Sequence, residues 1–242
     1  MSAAVLERVP EDKAFGRPKL LVLLGKGGGG KTSTAIHLAL AALRRKLRVA
    51  IIDLDAQKCS ETWRKVRGRG DVPVSSMTAA EAVAFIKSGK AVYDLLIIDC
   101  GKDPSAHLGE LVGLGDFALV PMRPSFLDLS VTLDWIKWLR AHKTSYAVVL
   151  NAAPPRRRLL NQPAGLSPAI QESPLVRQVR AVLNQRTVAL WRGQITHLHG
   201  IIEAISVGRG LVEVAPNHPV SQEIDQLLDA VLRRFKITED QS

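Results

Sequence analysis

Cysteine is scarce in this chain. Cys59 and Cys100 are the two thiols among 242 residues, and their spacing fits neither a zinc site nor a disulfide framework. Both are read as reduced thiols, although both follow segments read below as ligand-binding. Long apolar runs are also missing: none approaches the roughly 20 residues that a membrane-spanning helix needs. The opening MSAAVLERVPEDK is too polar and acidic for a signal peptide, so a cytoplasmic protein is expected. Acidic residues are the minority sign, 23 against 33 Lys and Arg, for a net charge of +10. That excess points to an acidic partner or surface, nucleic acid being the commonest, while a solvated basic face has the same composition. The length suits one α/β domain, large enough to bury its core without staples.

What is present centres on LLVLLGKGGGGKTSTAIHLALAALRRKL, Leu20 to Leu47. Leu20 to Leu24 reads as a buried strand, and helical periodicity runs from Lys31 through Ile36, Leu40 and Leu43. The loop between them fits G-x-x-x-x-G-K-[ST] from Gly25 to Thr32. Phosphate binding explains those residue types. Gly27, Gly28, Gly29 and Gly30 let backbone N–H groups curl round an anion at the helix N-terminus, where Ser33 follows. Lys31 would reach the β and γ phosphates of a nucleotide, and Thr32 would give its hydroxyl to Mg²⁺.

Two further strand ends carry carboxylates. RVAIIDLDAQ brings Asp53 and Asp55 to the carboxyl edge of a second strand, where ligands of parallel sheets bind. YDLLIIDC has the apolar-strand-plus-aspartate form of a Walker B motif, with Asp99 positioned to bind Mg²⁺ through water.

Lys26 adds a lysine that an ordinary phosphate loop does not need. KGGGGKTS resembles the deviant Walker A motif of the ParA/MinD ATPases, usually KGGxGKT[ST]. DLDAQKCSETW resembles the D-x-D-P-Q-x-S-x-x-x-W segment of that family, with Ala56 where proline is usual and the turn expected to be looser for it. PMRPSFLDL and HGIIEAISVGRGLVEV are similar to its P-x-x-P-S-x-x-D-L and R-x-x-x-x-x-A-x-x-x-G-x-x-V-x-E segments. The resemblance implies that Lys26 crosses to the nucleotide of a facing subunit in an ATP-sandwiched dimer. It also implies that Asp55 orients the attacking water, that Asp53 helps hold hydrated Mg²⁺, and that Asn151 contacts adenine. His199 stands where the family usually has arginine, leaving Arg192 and Arg209 as nearby candidates for DNA contacts. After Asp99, Cys100-Gly101-Lys102-Asp103-Pro104-Ser105 replaces the more usual D-T-P-P and resembles glycine-containing variants.

Along the chain, residues 1–17 read as a short leader, with no room for an N-terminal helix-turn-helix domain. Residues 18–238 read as one ATPase domain. Arg44, Arg45, Lys46 and Arg48 form a basic cluster, and RKVRGRG (64–70) adds another. A helix is expected over Ala79–Lys87, strands over Phe117–Pro121 and AVVLN, and a loop or partly ordered Pro/Arg-rich insertion, not a separate domain, near 152–174. Within that insertion, Arg156, Arg157 and Arg158 are equally compatible with phosphate contact and with solvation. A helix near Leu175–Gln185, a strand near Val188–Leu190 and a helix before Gly208 follow. Trp135 and Trp138 fall on a helix as packing residues. The last helix, about Val220–Phe235, has a broad apolar stripe read as core-facing, which argues against membrane binding.

The expected fold is therefore α/β: a doubly wound, mainly parallel sheet flanked by helices, of the P-loop NTPase type. The expected function is ATP hydrolysis, slow and partner-stimulated, with Mg²⁺. It would be coupled to homodimerisation, non-specific binding of double-stranded DNA at the nucleoid, and partition of a plasmid or chromosome through a centromere-binding adaptor. Positioning of a protein cargo over the nucleoid through a cargo adaptor, a MinD-like membrane switch and an ATP-dependent ligase are the alternatives.

Overall fold

The computed structural model of the protein describes residues 17–89, 91–101, 106–158 and 170–237. Its order is β1 (Lys19–Leu23), α1 (Lys31–Arg44), β2 (Val49–Asp53), α2 (Cys59–Arg67), β3 (Val74–Ser76), α3 (Ala79–Lys87), β4 (Leu95–Asp99), α4 (Ala106–Leu114), β5 (Phe117–Met122), α5 (Phe126–Ala141), β6 (Tyr146–Leu150), β7 (Arg157–Arg158), β8 (Ile170–Gln171), α6 (Pro174–Gln185), α7 (His199–Ser206), α8 (Leu211–Val214) and α9 (Pro219–Phe235).

The main sheet has six strands in the order β3-β2-β4-β1-β5-β6, every pairing parallel. A parallel sheet covered on both faces needs strands that are apolar at every position, and LLVL, VAII and LLII satisfy that requirement. Successive side chains go to opposite faces. Leu20, Val22, Ala50, Ile52, Leu96 and Ile98 join a core with Phe85, Leu111, Ile136 and Leu183, from α3, α4, α5 and α6. Leu21, Leu23, Val49, Ile51, Leu95 and Ile97 join the other core, with Ile36, Leu40, Trp63 and Leu228, from α1, α2 and α9. This is the doubly wound architecture expected from the sequence. β1 lies between β4 and β5, so the loop after β1 opens at the carboxyl edge, flanked by the ends of both neighbours.

The last helix, α9, buries Val220, Ile224, Leu227, Leu228, Val231, Leu232 and Phe235, so its apolar stripe faces the core. Trp135 is buried and packs edge-on against Trp138, with ring centroids 5.5 Å apart.

Some expectations change. Val188–Leu190 is not a strand; Leu190 makes one isolated parallel bridge to Val148. Thr187 turns left-handed just before it, at φ 50°, and the Arg180 guanidinium holds the carbonyls of Trp191 and Gly193 just after it, so the ladder cannot extend. Within the insertion, β7 and β8 pair antiparallel. Residues 1–16, 90, 102–105, 159–169 and 238–242, with nearly all of the leader, most of the D-T-P-P counterpart and the middle of the insertion, lie outside the described residues.

Part of each basic run is engaged by carboxylates elsewhere in the fold. Arg44 and Arg45 pair with Asp225 and Asp229 of α9, and Arg48 with Asp94 ahead of β4. Arg67 is buried, bidentate to Asp71 and to Glu213 of α8, with a further bond to the Gly208 carbonyl. Arg44, Arg45 and Arg67 thereby tie α1 to α9 and α2 to α8. Arg156 shares Glu172 with Arg180, while Arg157 is exposed.

Candidate functional site

The loop between β1 and α1 is braced from below by the ends of β5 and β6. Asn151, just after β6, donates from Nδ2 to the Gly29 carbonyl at 2.9 Å. A Cβ on Gly29 would lie 2.5 Å from the Pro121 carbonyl oxygen, and one on Gly30 would lie 1.9 Å from Asn151 Nδ2. Gly30 is also left-handed, at φ 97°, and serves as the N-cap of α1 without a side-chain cap. No acidic residue occupies the first turn of α1. Its first N–H groups therefore remain uncapped by side chains at the positive end of the helix dipole, the arrangement that holds an anion.

The two lysines of this loop point in different directions. Lys31 is buried and its Nζ donates to the carbonyls of Gly25 (3.1 Å) and Lys26 (3.4 Å). Lys26 is half-exposed and reaches Asp128 Oδ1 at 2.5 Å. Asp128 is fixed in the first turn of α5: its N–H donates to Ser125 Oγ, and its Oδ2 accepts from Arg123 N–H.

The carboxylates converge as the strand ends predict. Asp53 and Asp99 are register partners on β2 and β4, and both are buried. Burial pushes Asp99 up to about 6. Nearby Asp53 adds to that rise, while Thr32, Ser60 and Lys31 oppose it. Ser60 Oγ donates to Asp99 Oδ2 at 2.9 Å. The other oxygen, Oδ1, is buried without a hydrogen-bond partner among the described residues, and the Thr32 hydroxyl favours the ionised form. Burial also raises Asp53, against the backbone N–H groups of Asp55 and Glu61 that bond its two oxygens. Asp55 is half-buried, and its Oδ1 accepts from Gln57 N–H at 3.0 Å. That side-chain bond, with Lys58 N–H on the Asp55 carbonyl, closes the turn around Ala56 without proline.

An orphaned carboxylate oxygen beside a hydroxyl suits a hydrated divalent cation. Among the described residues no cluster of three or more His, Cys, Asp or Glu side chains could hold a metal alone. Mg²⁺ has no need of one, because it keeps several waters and takes phosphate oxygens as ligands. The donor set therefore fits Mg²⁺ arriving with a nucleotide.

Beside the start of α1 lies a narrow crevice lined by Ser33, Thr34, His37, Asn151, Ile195 and Ile201, among others. His37 bridges elements that the sequence kept apart: Nδ1 faces the Ser33 carbonyl at 2.8 Å and Nε2 faces Leu211 N–H at 3.0 Å. Sequence reasoning gave no role to His37 or to Asp128. Asp128 stood in the P-S-x-x-D segment, but its partner is distant in the chain.

Arg192 and Arg209 are both exposed, and neither makes an ion pair or side-chain hydrogen bond with a described residue. Arg192 follows the Leu190 bridge and Arg209 lies between α7 and α8. Cys100 is buried, which pushes its thiol far above the usual range; Cys59 is exposed, and partial desolvation and the neighbouring carboxylates raise it.

The family profile described as CobQ/CobB/MinD/ParA nucleotide binding domain matches residues 20–235. The chain is 35% identical over 140 residues to Maintenance of carboxysome distribution protein A of Gloeobacter kilaueensis, covering 56% of this chain and 63% of that protein. The chain thus spans less than two thirds of that relative. It is 26% identical over 152 residues to Protein ParA of Rhizobium radiobacter, covering 58% and 67%. The ATP complex of a Cyanothece McdA variant superposes with a TM-score of 0.70 at 16% identity, covering 93% of this chain and 98% of that one.

Proposed function

Because the chain belongs to the CobQ/CobB/MinD/ParA nucleotide-binding family, whose ParA and MinD members are P-loop ATPases, we propose that it is a ParA-type ATPase. In this reading it closes on ATP as a dimer, binds duplex DNA without sequence preference in that state, and drives partition of a plasmid or chromosome with an adaptor protein. The observation that carries the reading is the pair of lysines on one phosphate loop: Lys31 folded over the loop and Lys26 turned out to Asp128.

The reaction is in-line attack of water on the γ phosphate. The N–H groups of residues 27–33 and Lys31 bind the phosphates, Asp55 orients the water, and Lys26 of the facing subunit stabilises the developing charge. Thr32, Asp53 and Asp99 would hold Mg²⁺, the aspartates through water, and the ion would supply neutralisation of the phosphate charge. Asn151, just after β6, contacts the adenine. Two basic faces combined in one dimer multiply the neutralised phosphates, so DNA affinity rises with dimerisation and falls with salt. Arg192 and Arg209 contribute to that face, which supports a nucleoid location.

Positioning of a protein cargo is the second reading, favoured by the identity to a carboxysome-distribution protein. It differs only in the adaptor. The apolar stripe of α9 is packed into the core, so this helix does not present the apolar face that a membrane switch would use.

The test is binding of non-specific duplex DNA at fixed salt without nucleotide, with MgADP and with MgATP. Binding that requires MgATP supports the DNA-tethered switch. Binding that ignores nucleotide, or never occurs, overturns it.

A further inference from the structure

The most exposed large apolar side chain among the described residues is Leu127, at 77%, and its neighbour Phe126 is 61% exposed. They are not loop residues. Ser125 caps α5, its Oγ accepting from Asp128 N–H and its carbonyl from Leu129 N–H, so both side chains are held in the rigid first turn of a 16-residue helix. The opposite face of that helix is fully used, burying Leu129, Trp135, Ile136 and Leu139. Isolated exposed apolar residues need no explanation, but two consecutive ones on a capped first turn form a pre-ordered contact.

Their location identifies the occupant. The next residue is Asp128, which holds Lys26, so Phe126 and Leu127 stand at the mouth of the phosphate loop. We infer that Phe126 and Leu127 are the apolar anchor of the ATP-closed dimer, and that a second copy of this chain covers them. The inference rests on the proposed exchange of Lys26 between subunits. A copy that delivers its Lys26 across a two-fold axis must bring the start of its own α5 to the same interface, because Lys26 lies beside it. In such an isologous contact each residue acts twice. An apolar contact is also what this chain needs for self-association. Each protomer carries a net charge of +10 and repels its copy, while Arg123, exposed beside the pair, adds to that repulsion locally. Bound ATP offsets the charge at the loop, and the Phe-Leu pair supplies attraction that salt does not screen.

The test uses the full chain with Mg²⁺ and a non-hydrolysable ATP analogue. Dimerisation is measured by sedimentation for the wild type and for a Phe126→Ser/Leu127→Ser double variant. In parallel, Leu127→Cys in a Cys59→Ser background is titrated with a thiol reagent, Cys100 being buried. The expected result is unchanged analogue binding by the double variant, dimerisation weakened at least tenfold, and thiol reactivity at position 127 falling at least tenfold with analogue but not with MgADP. A wild type that dimerises while position 127 stays reactive and the double variant dimerises equally well overturns the inference and leaves the Lys26 reading standing. A wild type that stays monomeric overturns both.

Discussion

Lys26, in the loop after β1, and Asp128, in the first turn of α5, are joined by a 2.5 Å ion pair although 102 residues separate them. The Asp128 side chain is nearly buried, at 8% exposed, so the attraction is poorly screened and the carboxylate loses its cation only at a cost. The pair therefore holds Lys26 on its own subunit, and a dimer that takes Lys26 across must first break it. Asp128→Asn keeps an oxygen for Arg123 N–H and removes only the charge. It is expected to lower the MgATP concentration needed for dimerisation by roughly tenfold, about 1.4 kcal/mol. Sedimentation against MgATP checks this; an unchanged midpoint means that the pair is no latch.

Gly30 offers a sharper test of the loop. A Cβ there meets Asn151 Nδ2 at 1.9 Å on a left-handed backbone, whereas Gly28, also at positive φ, has nothing within 4 Å. Gly30→Ala should cost roughly 1–3 kcal/mol of stability from strain and abolish nucleotide binding, with Gly28→Ala milder on both counts. Thermal melting with a fluorescent ATP analogue separates the two, and equal effects would remove the steric argument.

Most of this fold is legible in the sequence where local chemistry and tertiary burial agree. The four-residue apolar runs of β1, β2 and β4 can only be doubly buried strands. The span of α3 is readable because Thr78 and Glu81 form a capping box that fixes its start. Legibility ends where burial uses polar residues. CSETWRKVR shows no apolar stripe, yet α2 buries Ser60, Trp63 and Arg67 on one face, satisfied by Asp99, the Arg209 carbonyl, and Asp71 with Glu213. A run of cations cannot reveal which arginine is clamped by carboxylates far along the chain. The same holds for the site: the phosphate-loop residues follow a fixed spacing, while the Lys26–Asp128 and His37–Leu211 contacts exist only after folding.

Asp55 is half-buried, at the turn after β2, where its side chain already organises the backbone around Ala56. Asp55→Ala should retain ATP binding and ATP-dependent dimers while hydrolysis falls by 10²-fold or more, in the range for loss of a group that positions the nucleophile. Phosphate release alongside sedimentation measures both. Normal turnover would remove Asp55 from that role.

Asp99 makes opposite predictions for the free and the nucleotide-bound protein. Its rise from 3.8 to about 6 on burial means that ionisation costs the ligand-free fold about 3 kcal/mol. The folded protein binds this proton more tightly than the unfolded chain does. Asp99's contribution to stability is thus fully present below about pH 4 and is lost as pH rises through about 6. Asp99→Asn should therefore raise the Tm of the ligand-free protein at pH 7.5 while erasing the further rise that MgATP gives the wild type. In the wild type, Mg²⁺ must displace the proton below pH 6, so the Mg²⁺ requirement for ATP binding should rise about tenfold from pH 7 to pH 5. A flat Mg²⁺ requirement across that range would count against Asp99 as the ligand.

His37 titrates in the other direction. It is buried in α1, and its bonds demand a neutral ring with the proton on Nδ1, facing the Ser33 carbonyl, and a bare Nε2 accepting from Leu211 N–H. Burial lowers its pKa below 6.5, against the Ser33 carbonyl and the charge of Glu213, which raise it. A depressed folded-state pKa contributes stability that is present above pH 6.5 and is lost as pH falls through the folded value. Protonation would set an N–H on Nε2 against the Leu211 N–H and part α1 from α8, the helix whose Glu213 clamps Arg67. His37→Gln should cost roughly 1–3 kcal/mol at pH 7.5, and the gap to wild type should shrink as pH falls from 6.5 towards 5. Comparing the two proteins at each pH by urea unfolding cancels the opposing contribution of Asp99, which both share. A gap that stays constant with pH would mean that the ring is not held neutral by this contact. One that closes would tie the phosphate-loop helix to the segment carrying Arg209 through a single protonatable bond.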